Sequence, residues 1–184
     1  LIALHYLQGM GFYPQVFAII GLCAIWSADA LVQSPILRVI GTGAATVLLR
    51  YSYGLNLPDA VAAIGILYLL EARAARYPAM NCIVGVGTAF AAYNGFIALE
   101  PLFILWGGLA QHSVPQSLSV NLSTALVMAV IVALLASETS PIVRAVRFPL
   151  VFAVVNAASG SYFQSIATQY YYANKYQFAS CCLL

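Results

Sequence analysis

The sequence predicts an all-α protein, a polytopic membrane bundle of about six transmembrane helices, from three observations: 63% of its residues are hydrophobic, 7% are charged, and its apolar runs are long. A soluble domain carries roughly 45–50% apolar and 25% charged residues. Seven basic and five acidic side chains are too few to dress a water-soluble surface of 184 residues, and nearly all of them stand at the edges of apolar runs. A helix needs roughly 20 mostly apolar residues to cross about 30 Å of hydrocarbon, so the length accommodates about six spans in a single domain covering 1–184.

The expected spans are about 13–33, 35–53, 59–75, 79–99, 118–137 and 142–167. The first tolerates Pro14 in its opening turn, where a missing N–H costs nothing, and ends at the polar stretch from Asp29 to Ser34. Pro35 opens the second, which carries Arg38 near one end and Arg50 near the other; Gly54 to Pro58 is a turn. The third has Asp59 in its first turn and Arg73 and Arg76 in its last, in keeping with the helix dipole, and Tyr77-Pro78 closes it. In the fourth, Gly85, Gly87, Ala89, Ala91, Ala92 and Gly95 permit close backbone approach to a neighbour.

The apolar segment 100–112 is too short to cross and is punctuated by Pro101, Gly107-Gly108 and the following Pro115, so a re-entrant or interfacial half-helix is expected there. The fifth span, 118–137, is the clearest in the chain. The sixth is expected to be kinked or started by Pro149. After it, Tyr170, Tyr171, Tyr172 and Tyr176 lie among polar residues, as amphipathic rings do at the headgroup level. Residue 1 is Leu rather than Met, which suggests that the numbered chain begins inside a longer or processed product.

With six crossings, Arg38, Arg73, Arg76, Arg144 and Arg147 fall on one face, and Arg50 and Lys175 on the other. The positive-inside rule places the first set in the cytoplasm or matrix and both termini on the opposite side. No internal repeat of the kind seen in many transporters is visible.

The chain has no run of Lys or Arg to track a phosphate backbone, which excludes nucleic acid as a partner. It also lacks a nucleophile elbow, a zinc helix and a Walker loop. Cys23, Cys82, Cys181 and Cys182 have no metal or redox spacing and are expected to act as small hydrophobes.

Ionisable groups within the membrane are functional candidates by default. Asp29, Asp59, Glu71, Arg73, Arg76, Glu138, Arg144 and Arg147 lie near helix ends, where snorkelling and capping explain them. The residues singled out are Glu100, beside Pro101 at an expected helix break; His112 and His5, on the same expected outer side; and Arg50, inside an apolar run. Glu100, His112 and His5 are candidates for a proton relay, with no metal assigned because the two His have no helical partner at ligand spacing. Arg50 is a candidate for gripping an anionic substrate or headgroup.

Three functional readings follow. The first is a non-catalytic subunit or accessory component of a larger membrane complex, with the lipid bilayer and other membrane subunits as partners. The second is a small-solute transporter or channel using Arg50 and Glu100. The third is a membrane enzyme or redox protein using His5, His112 and Glu100, its cofactor unknown.

Overall fold

A computed structural model describes residues 13–53, 56–109 and 141–162, with side chains over 17–51, 56–98 and 143–156. Among the described residues the chain is entirely helical. Its helices are α1 (Tyr13–Leu31), α2 (Pro35–Tyr53), α3 (Leu57–Glu71), α4 (Pro78–Leu109) and α5 (Pro141–Tyr162). The expected fifth span, 118–137, lies outside the described residues, as do His5 and His112.

Proline marks where these helices begin. Pro35, Pro78 and Pro141 each occupy a first helical position and Pro58 a second, sites where the fixed φ is already helical and the absent N–H is not missed. α1 and α2 form one antiparallel hairpin and α3 and α4 another, while α5 packs against both α1 and α3. α3 is therefore central, touching α2, α4 and α5. Its composition suits that place: Ala60, Ala63, Ile64, Leu67 and Tyr68, spaced as one helical face, are all buried, and Ile66, Leu69 and Leu70 on its more exposed side are apolar as well. A helix that is apolar all round belongs inside a bundle.

Small residues set the α3–α4 spacing. A Cβ on Gly65 would come within 2.6 Å of the Thr88 hydroxyl and 3.1 Å of the Gly85 carbonyl oxygen, and one on Gly85 would lie 2.5 Å from Leu69 Cγ. Gly95 sits against Pro58 in the same seam, whereas Gly87 faces open space. The core continues from α3 through Leu22 and Ile25 of α1, Leu49 of α2, and Phe148, Val151 and Phe152 of α5.

Two elements differ from the sequence expectation, and one settles an alternative. α3 ends at Glu71, so Arg73 and Arg76 lie in the turn beyond it rather than in its last turn. α5 begins at Pro141, one residue from the expected 142, with Pro149 in its interior rather than at its start. α4 is one helix of 32 residues that continues through Pro101 to Leu109, with no break at Glu100. A proline inside a helix removes a single hydrogen bond and crowds one carbonyl, and a long apolar helix tolerates this where the freed group is satisfied by a neighbour.

α5 shows such a rescue. Pro149 has no N–H to offer the carbonyl of Ala145 one turn earlier, and the indole N–H of Trp26 on α1 donates to that oxygen instead. Beside this apolar core, the bundle buries several polar residues and exposes many large apolar ones. Asp29, Thr42, Asn56, Asp59, Asn81 and Asn156 are buried, while Ile36, Leu37, Ile40, Val47 and Leu48 of α2 and Ile83, Val86, Phe90 and Tyr93 of α4 are exposed. One stretch among the described residues, Pro78–Ala98, is long and apolar enough to cross a membrane by length and composition.

Candidate functional site

The C-terminal ends of α1 and α3 and the N-terminal ends of α2, α4 and α5 meet at one end of the bundle, because α1 to α4 alternate in direction and α5 starts where α3 ends. Each contributes polar residues there. Asp29 comes from the last turn of α1, Arg38 from the first turns of α2, Tyr68 and Glu71 from the end of α3, and Arg144 and Arg147 from the start of α5.

Four of these charges form a closed network. Arg147 grips Asp29 with two N–H groups, Nε to Oδ2 at 3.0 Å and Nη2 to Oδ1 at 3.1 Å, and its third nitrogen, Nη1, donates to Oε1 of Glu71. Arg38 donates from Nη2 to the other oxygen of Glu71 at 2.5 Å and lies 3.9 Å from Asp29. The guanidinium of Arg38 also stands 4.7 Å over the ring of Tyr68, a cation–π placement that costs the cation little hydration elsewhere. The Asp29 side chain is only 3% exposed and that of Arg38 11%. A charge so far removed from water is tolerated only when paired and hydrogen-bonded, and two arginines facing two carboxylates leave no net charge to solvate.

Above this neutral floor lies a cavity of about 480 Å³ bordered by the α1–α2 turn, the α3–α4 turn and the start of α5. Arg73, Arg76 and Arg144 line it together with Arg38, Arg147, Glu71 and Asn81. Among the described residues no carboxylate pairs with Arg73, Arg76 or Arg144. Arg76 rests 5.5 Å over the Tyr77 ring. The pocket thus carries a surplus of three positive charges at its rim.

No family model, curated protein or solved structure matches this chain. Its chemistry is therefore read from its own side chains. A second polar contact, deeper in the bundle, joins Asn156 of α5 to Asp59 of α3, Nδ2 to Oδ2 at 3.3 Å, with both residues fully buried. It clamps α5 to α3 about two to three turns below the charged network.

The residues singled out in the sequence do not converge among the described ones. Arg50 is exposed in the last turn of α2, at the end opposite the arginine pocket. Glu100 lies within α4, and its side chain is outside the described set. Among the described residues no group of three or more His, Cys, Asp or Glu side chains comes together. Asp29, Glu71 and Arg147, read from the sequence as helix-end charges explained by capping and snorkelling, instead make the network. A signal for them was present: in a chain of alternating helix directions, opposite charges at 29, 38, 71 and 147 fall at one depth on one side.

Proposed function

We propose that this chain is a multi-pass integral membrane protein of about six helices that serves as a non-catalytic subunit or accessory component of a larger membrane complex. The observation that carries this reading is the apolar exterior: large apolar side chains are exposed along α2 and α4, while Asp29, Asp59 and several amides are buried beside the apolar core. Lipid tails or neighbouring apolar helices solvate such an exterior, whereas water does not. Asn94 fits the same picture. It is exposed beside Phe90 and Tyr93, and its amide donates back to the Phe90 carbonyl at 2.8 Å, so one of its N–H groups is satisfied within its own helix.

Two further observations support it. α4 and α5 both start at the arginine-rich end, which calls for a return of the chain between them, and the apolar run 118–137 supplies a crossing of suitable length. The five arginines gathered at that end favour the cytoplasmic or matrix side for it under the positive-inside rule, with both termini opposite. The role as a subunit rests on the broad exposed apolar faces of α2 and α4.

The reading is tested by expressing the full chain, washing membranes with alkaline carbonate and extracting the pellet in mild detergent. The chain is expected to stay in the pellet and then to migrate with other membrane proteins on a native gel. Recovery in the supernatant would refute the location, and a stable, well-behaved monomer would refute the subunit role. For orientation, a cysteine at Ala74→Cys is expected to react with an impermeant thiol reagent from the cytoplasmic side and one at Tyr51→Cys from the other, in a background without native cysteines.

A further inference from the structure

We infer that the pocket above the charged network is a binding site for a phosphate ester, the chemistry shared by an anionic phospholipid headgroup and a free phosphate. Three features point to this ligand. Arg73, Arg76 and Arg144 line the pocket without carboxylate partners among the described residues, and a guanidinium presents a planar fork of N–H donors that matches two phosphate oxygens. The floor is already balanced. Glu71, the one carboxylate among the described lining residues, is held by both Arg38 and Arg147, so an arriving anion meets a neutralised acid and a positive rim. The cavity, at about 480 Å³, has the size of a small-molecule site, roughly 300–1,000 Å³.

Asn81 adds a neutral polar group to the wall while being 2% exposed, which suits an oxygen-rich ligand better than a hydrocarbon. The pocket also opens at the end of the bundle beside the outward apolar faces of α2 and α4. Basic pockets between helices on the cytoplasmic or matrix side are where headgroup phosphates are held, and for the lipid source the inference rests on the membrane location proposed above.

The test uses the purified full chain in neutral detergent. Soluble short-chain phosphatidylglycerol and phosphatidylcholine are titrated in parallel, and inorganic phosphate is titrated against chloride at matched ionic strength; binding is read by calorimetry and by the rise in melting temperature. The lipid source predicts tight binding of phosphatidylglycerol over phosphatidylcholine, and the free source predicts saturable binding of phosphate itself. Either result supports the site if the triple variant Arg73→Gln/Arg76→Gln/Arg144→Gln weakens it roughly 100-fold, at about fivefold per arginine. The charge-conserving triple variant to Lys is expected to lose about tenfold, because an ammonium keeps the charge without the fork. Wild-type affinity in the Lys variant would reduce the effect to diffuse surface charge and overturn the site, as would equal binding of both lipids with no binding of phosphate. These three arginines lie outside the charge-balanced network, so the unliganded melting temperature of each variant is expected to match the wild type. The phosphate arm does not depend on location: a chain that proves soluble yet binds phosphate through these arginines refutes the membrane reading and leaves the site standing.

Discussion

Trp26, Ala145 and Pro149 form a three-residue device in which a helix-breaking residue and its remedy come from different helices. The carbonyl freed by the proline accepts the indole N–H, so removing the indole leaves a polar atom with no donor. Trp26→Phe is expected to cost about 1–3 kcal/mol, measured by unfolding in mixed micelles. In a Pro149→Ala background the restored backbone N–H meets the same carbonyl, and the cost of Trp26→Phe should fall below about 1 kcal/mol; an unchanged cost would show that the indole acts by packing alone. The charged network gives a second expectation. Asp29→Asn leaves Arg147 and Arg38 sharing one carboxylate and is expected to destabilise the fold by about 3 kcal/mol, whereas adding Arg147→Gln restores the balance and recovers part of the loss. The coupling between the two substitutions, about 1–3 kcal/mol, separates this explanation from simple loss of packing.

At the scale of the element, α3 and α4 approach so closely that backbone oxygen nearly touches the partner's glycine. Gly65→Ala drives a methyl against Thr88 and the Gly85 carbonyl, and is expected to cost about 1–3 kcal/mol as the helices separate. Gly87→Ala, two residues from Gly85 on the open side of α4, should instead stabilise the helix, by about 0.5–1 kcal/mol. Helix positions were largely legible in the sequence because proline and glycine punctuate it: the expected 35–53 coincides with α2, and the expected 13–33 and 59–75 overlap α1 and α3. The miss in α4 also involves proline. Pro101 reads as a stop because the lost hydrogen bond is a local fact, whereas α4 runs on through it to Leu109. Pro149 is expected from the sequence at the start of its helix or within it; its compensating donor lies on another helix and has no local signature.

For the molecule as a whole, the clustering of five arginines at one end could be anticipated by counting crossings, since alternating helix directions sort residues to one end or the other. Which of those charges neutralise one another could not, because pairing depends on how helices rotate about their axes. Asp29, Arg38, Glu71 and Arg147 therefore looked like ordinary termini, and Arg50, standing among apolar neighbours, looked exceptional although it faces outward. Asn156→Leu tests the global packing of α5 on α3: it strips a fully buried carboxylate, that of Asp59, of an amide partner and is expected to lower stability by about 1–3 kcal/mol, read from the same micellar unfolding curves. The bond between Asp29 and Arg147 joins residues 118 positions apart, which bears on biogenesis. A ribosome adding about 5–20 residues per second exposes the acid several seconds or more before its main counter-ion has been made. Until then the network sets two carboxylates against Arg38, so its charges balance only once α5 has been made.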